Sequence, residues 1–151
     1  MNLDFEALQR MPPVERARMI TIEAHKGQRR KFGEKEEYIN HPFRVASQQR
    51  SDVDREVGWL HDVFEDTEVT EENLRHAGVG ELVIASVKVL TRKEGETYFD
   101  YINRVVNSAF GSAVKVKTAD LEDNMRDLKE GSMRDKYRFA YRFLTGENPP
   151  R

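Results

Sequence analysis

The 151-residue chain contains no cysteine. Disulfides, thiolate metal sites and a cysteine nucleophile are therefore excluded. No apolar run approaches the roughly 18 residues that a membrane span needs, and the segment from Met1 to Arg10 is amphipathic and acidic rather than a signal peptide. Charge of one sign is lacking too: the formal net charge is only −2. Nothing global therefore favours nucleic acid, and any anionic ligand must be met by a local basic patch. Alternating hairpin patterns, internal repeats, low-complexity tracts and domain linkers are also missing. What is present is 38% hydrophobic and 34% charged residues, a polar surface over a modest interior. That length suits one domain with one core. A soluble protein follows, cytoplasmic by default, with neither nucleic acid nor membrane among its partners; oligomeric state is not legible.

The apolar residues recur at helical spacing through most of the chain. A short helix fits 4–9, closed by Met11-Pro12-Pro13, and Pro13 suits the first turn of the next helix, over 14–26. Residues 27–40 form a charged loop. His41-Pro42 opens a helix to about Gln49, and Asp52 or Asp54 caps one that runs through Trp59 to Asp66. A short helix starts at Thr70 and ends at Gly78. Residues 81–90 are apolar enough for a strand, but their length and surroundings favour a buried helix. Helices over 97–107, 112–128 and 131–144 complete the chain. The pattern predicts one all-α domain over residues 1–151, a bundle of about seven or eight helices.

The stretch His61-Asp62-Val63-Phe64-Glu65-Asp66 concentrates the chemistry. On a continuous helix His61 would stack with Glu65, and Asp62 with Asp66. Acids so close repel one another unless a cation or proton lies among them, which points to a metal. The same six residues also read as a solvated acidic helix end. Three further histidines exist: His41, able to point into a cleft; His25, equally a packed residue; and His76, suited to a helix C-terminus. Asp120 is the candidate fourth donor, with Asn124 one turn later; Asp120 reads equally as an exposed acid beside Glu122 and Asp123. Two imidazoles and two carboxylates would suit Mn²⁺, Fe²⁺ or Zn²⁺. Glu65 and Asp66 could then orient a water or take its proton. Arg29-Arg30-Lys31 could hold a phosphate ester or simply balance Glu34, Glu36 and Glu37. Lys88, Arg92, Lys93, Lys115 and Lys117 read as surface cations. Tyr98, Tyr101, Tyr137 and Tyr141 read as core, although they could stack on a base.

Together His41, His61-Asp62 and Asp120 reproduce the H…HD…D order of the HD-domain metal-dependent phosphohydrolases. Four blocks carry a closer resemblance: Ala24-His25-Lys26-Gly27-Gln28-Arg29-Arg30-Lys31-Phe32-Gly33; Tyr38-Ile39-Asn40-His41-Pro42; His61 to Thr67; and Val116 to Met125. In this order, between residues 24 and 125, they resemble the RelA/SpoT-type hydrolase domain. The resemblance implies a helical HD fold and one Mn²⁺ held by His41, His61, Asp62 and Asp120. It implies Glu65 and Asp66 as the acid pair that activates water, Arg30 and Lys31 beside a guanosine nucleotide, Asn124 as a polar substrate contact, and Tyr137 as a substrate-facing aromatic. The implied reaction removes pyrophosphate from the 3′ position of (p)ppGpp. With no room for a synthetase domain after Arg151, a stand-alone small alarmone hydrolase similar to the metazoan SpoT homologue is the expected type. The chain departs from the family in Phe32 and in a segment from Gly33 to Tyr38 about two residues longer than usual, while Leu90 to Tyr98 and the acidic Glu122-Asp123 resemble a bacterial subset of stand-alone members. These departures touch the nucleotide pocket rather than the metal. They leave open a related alarmone, the 2′-phosphate of NADPH or a dNTP as substrate, and a non-catalytic nucleotide-sensing module as the rival class.

Overall fold

Residues 1–31 and 35–150 are described by the computed structural model of the chain, and their regular structure is helical. Ten helices follow in order: α1 (Phe5–Gln9), α2 (Pro13–Ala24), α3 (Asn40–Ser47), α4 (Asp52–Leu60), α5 (Val63–Asp66), α6 (Glu71–His76), α7 (Glu81–Leu90), α8 (Tyr98–Val106), α9 (Gly111–Arg126) and α10 (Ser132–Thr145). The all-α expectation holds, and the apolar 81–90 segment is the helix its length suggested. The expectations placed on Phe32 and on the spacing after Gly33 lie outside the described residues. Arg29 and Glu37 form an isolated antiparallel bridge that ties together the two arms of the α2–α3 loop.

Two local expectations need correction. Neither Asp52 nor Asp54 caps α4. Ser51 stands at the cap with extended backbone, and its hydroxyl accepts from the Asp54 amide at 3.1 Å. Asp54 is instead buried and accepts from the Ser112 hydroxyl. The helix expected to run unbroken to Asp66 stops at Leu60, turns through His61 and Asp62, and resumes as the single turn α5. His61 and Asp62 therefore project from a helix end, where carbonyls lack intrahelical partners, and the simple stacking of His61 over Glu65 does not apply.

The core is one cluster that includes Ile20, Val45, Val57, Leu60, Leu74, Val87, Val105, Val116 and Leu121. Helix α4 lies at its centre, packed against α2, α3, α7 and α9. Each fully buried aliphatic of this kind contributes about 1.5–3 kcal/mol. Gly58 lets α3 and α4 touch. A Cβ built there would stand 2.8 Å from Ala46 Cα and 3.1 Å from Ala46 N. That contact sets the distance between His41 at the start of α3 and His61 at the end of α4. Gly58→Ala is expected to lower stability by about 1–3 kcal/mol, as overpacking of a tight core does. Urea denaturation of the metal-free protein measures it; an unchanged midpoint would mean that the two helices are free to move apart.

Candidate metal centre

Three stretches of chain deliver the donors: the first turn of α3 (His41), the α4–α5 turn (His61 and Asp62) and the middle of α9 (Asp120). One donor atom from each of His41, His61 and Asp62 lies within 4.8 Å of the other two. The two Nε2 atoms face each other at 3.2 Å. Asp62 Oδ2 is 3.1 Å from His61 Nε2 and 3.8 Å from His41 Nε2. Asp120 Oδ1 is 2.9 Å from His41 Nε2 and 3.4 Å from His61 Nε2. Donors sharing one ion at bond lengths of about 2.1 Å lie roughly 3–3.5 Å apart, so His41, His61 and Asp62 form a group that could hold a divalent cation, and Asp120 adjoins both imidazoles beside it.

The protein also orients the rings. His61 Nδ1 lies 2.7 Å from the Gly58 carbonyl. A carbonyl can only accept, so Nδ1 carries a proton and Nε2 is the nitrogen that faces the cluster. Burial works against a charge on His61, yet Asp62 and Asp120 outweigh it and raise the imidazole well above its ordinary pKa. Burial likewise pushes Asp120 toward protonation, but Lys117 and the two imidazoles overcome that and hold it well below the carboxylate range. The site draws positive charge from whatever source is near.

Several neighbours were not legible as site residues. Lys117, read as a surface cation, is buried with Nζ 2.7 Å from Asp120 Oδ2. Asp123, read as part of an acidic turn, is buried and lies 2.6 Å from His41 Nδ1. Arg44 donates to both Asp123 and Glu36. Tyr38 donates its hydroxyl to Asp62 Oδ2. Lys117 and Asp123 are each three residues from Asp120, and Arg44 is three from His41, so helical spacing was the signal that could have found them. Asn124 meets its expectation of facing the same space, donating to Asp120 Oδ1 at 3.1 Å. His25 lies outside the cluster: its Nδ1 pairs with Gln28 Oε1 at 2.8 Å and its ring stacks on Tyr38. His76 is remote, exposed and stacked on Phe5.

A cavity of about 520 Å³ opens over the cluster. Arg29, Arg30 and Lys31 line one part of it, and Tyr98, Tyr101 and Tyr137 another. These three tyrosines, read as core, thus also face open space. Arg30 is 8% exposed, with its guanidinium 3.6 Å from Asp123. Glu65 and Asp66 stand at the mouth in contact with solvent. Surrounding protein still pushes both carboxyls up from their ordinary values, chiefly by desolvation, with the charge on Asp62 adding to it. Carboxyls raised in this way hold a proton more readily than free ones do. The chain therefore gathers a metal-competent donor set, two proton-competent acids and a basic wall around one cavity.

The chain resembles known proteins in sequence and in fold. No known protein-family profile matches the chain. A protein of Haemophilus influenzae, named guanosine-3′,5′-bis(diphosphate) 3′-pyrophosphohydrolase, is 39% identical over 135 residues, covering 80% of this chain and 19% of the relative. A protein of the same name from Vibrio cholerae is 36% identical over 145 residues, covering 84% and 20%. The chain thus spans about one fifth of the length of these curated relatives. Among solved structures, a metazoan ortholog of SpoT, described as hydrolysing ppGpp with a role in starvation responses, superposes with a TM-score of 0.74 at 23% identity. It covers 91% of this chain and 88% of its own. That likeness shows the fold.

The loop after α7 brings the Arg92 amide to Glu65 Oε1. Arg104 holds that loop, donating to the Val89 and Thr91 carbonyls and to both oxygens of Glu96, at 2.8 and 3.0 Å. The Arg104 hydrogen bonds lower Glu96 from 4.5 to about 2. A depressed carboxylate stabilises the fold above its unfolded value and loses that contribution as pH falls through the folded one. Glu96→Gln is therefore expected to destabilise the protein at neutral pH. The difference from the wild type should shrink between pH about 4.5 and about 2. Chemical denaturation across that range measures it; a difference independent of pH would contradict the assignment.

Proposed function

We propose that this chain, an HD-type protein like the RelA/SpoT hydrolases in sequence and fold, is a metal-dependent phosphohydrolase that removes pyrophosphate from the ribose 3′ position of (p)ppGpp. Residues 1–151 act as one hydrolase domain in this reading. The observation that carries it is the convergence of His41, His61, Asp62 and Asp120 beneath a cavity walled by Arg30 and Lys31. The four residues would hold one divalent cation, with Mn²⁺ the first candidate and Fe²⁺ or Zn²⁺ the others. Such an ion polarises a phosphoryl oxygen and lowers the pKa of a nearby water.

The remaining work falls to this chain's side chains. Arg30 and Lys31 bind the diphosphate, and the fork of Arg30 suits paired phosphate oxygens. Asn124 and Tyr137 contact the nucleoside. Glu65 and Asp66 position the attacking water and accept its proton. The water oxygen bonds to the phosphorus attached to the 3′ oxygen, the bond between them breaks, and the 3′ oxygen leaves to be protonated as a hydroxyl. Lys117 keeps Asp120 ionised. Tyr38, by donating to Asp62, fixes which carboxylate oxygen turns toward the cluster.

Purified protein given ppGpp and Mn²⁺ should release GDP and pyrophosphate. Turnover of a different nucleotide from a panel that includes NADPH and dNTPs would redirect the substrate assignment, and no turnover of any would end the enzymatic reading. His61→Ala and Asp62→Ala are each expected to abolish bound metal in elemental analysis. Arg30→Ala should raise KM by about 10-fold or more with a smaller change in kcat, as loss of a charged phosphate contact does. Glu65→Ala combined with Asp66→Ala should retain metal and lower kcat by about 100-fold or more. Full activity in that double variant would remove Glu65 and Asp66 from the reaction.

A further inference from the structure

On the far side of the His41 ring from the metal cluster lies a group that the proposed reaction does not use. Helix α9 presents Asp120 and Asp123 three residues apart, and the imidazole of His41 fits between them. Asp120 Oδ1 meets Nε2 at 2.9 Å, and Asp123 Oδ2 meets Nδ1 at 2.6 Å. His41 is 1% exposed and Asp123 8%, so water does not compete freely for this contact. Asp123 is itself fixed. Arg44, one turn after His41 on α3, donates Nε to its Oδ1 and a terminal nitrogen to its Oδ2 at 3.1 Å. The Arg30 guanidinium lies 3.6 Å from the same carboxylate. Arg44 also pairs with Glu36, whose carbonyl accepts the Arg30 amide at 2.8 Å.

We infer that Asp123 is a positioning residue, which holds the proton of His41 on Nδ1, aims the bare Nε2 at the cation and joins that ligand to the Arg30 wall of the cavity. The inference rests on the reading of the cluster as a metal site. Its chemistry is general: an ionised carboxylate accepts only, so the nitrogen it faces must donate. Nε2 faces the Asp120 carboxylate in its turn; with a cation in place of the proton between them, the proton held on Nδ1 by Asp123 would leave the Nε2 lone pair to the metal and make the imidazole a better ligand. His61 obtains the same service from a backbone carbonyl, which no substitution can remove; His41 obtains it from a side chain, which one can. Lys117 cannot take over, because it lies on the Asp120 side of the ring and accepts nothing. Asp123 touches neither the reacting atoms nor the cation, and acts through His41 and Arg30.

The test uses the full chain, stripped of metal, as wild type, Asp123→Asn and Asp123→Ala. Mn²⁺ alone is titrated into each by calorimetry, and the melting curve of each metal-free protein is recorded. The wild type is expected to bind one Mn²⁺. Asp123→Asn should weaken that binding by about 10-fold and Asp123→Ala by up to about 100-fold, the range for loss of a group that orients a metal ligand. Both should keep a cooperative melting transition. Raising Mn²⁺ should restore the lost kcat of Asp123→Asn, which repair of a purely structural defect would not do. If Asp123→Ala does not fold, the isosteric Asp123→Asn decides. Folded variants that bind Mn²⁺ within twofold of the wild type overturn the inference. A wild type that binds no divalent ion overturns instead the metal reading beneath it.

Discussion

The attraction between two recessed carboxylates and the positive charge kept beside them governs the rest of the molecule. Asp120 is nearly excluded from water, and Asp62 lies close by with 23% of its side chain accessible. Unpaired, such groups would be costly to bury. Lys117 supplies one fixed charge, and the two imidazoles can supply protons or, with their lone pairs turned inward, share a cation. An Nε2–Nε2 separation of 3.2 Å is within hydrogen-bond reach. It is an ordinary separation between two ligands of one ion.

The bundle serves this cluster through a few close contacts. Gly58 allows α3 and α4 to approach backbone to backbone, which brings two rings from different helices into reach. The break after Leu60 then turns His61 and Asp62 off the helix and into the cavity. Helix α9 closes the set from the opposite side with Asp120, and its next turn supplies the buried Asp123. Around the rim the chain is more open, and there Glu65, Asp66, Arg29 and Lys31 meet solvent while Arg30 is buried behind them.

Much of this was legible beforehand because it is periodic or local. Apolar spacing marked nearly every helix, including the strand-like 81–90 segment, and the order of His41, His61-Asp62 and Asp120 marked side chains that the fold brings together. Features that depend on where the chain stops being regular were harder. A helix was expected to continue through Asp66 because nothing in His61-Asp62 is a breaker by type; in the fold the His61 ring meets the Gly58 carbonyl where α4 ends. Lys117 looked like one more surface cation, since lysine is seldom buried, and only the fold reveals that Asp120 balances it. Asp123 was hidden in an acidic turn because its partners, His41 and Arg44, are about eighty residues away. Spacing of three on α3 and on α9 was present in the sequence, but which helices face each other was not.

The convergence of four side chains on one cation is the claim from which the enzymatic account descends. It is tested most directly by a crystal structure of the Mn²⁺-soaked protein, with anomalous scattering measured at the manganese edge. The account requires one strong peak bonded to Nε2 of His41, Nε2 of His61 and carboxylate oxygens of Asp62 and Asp120. An ordered cluster with no peak, or a peak held by other residues, would contradict it.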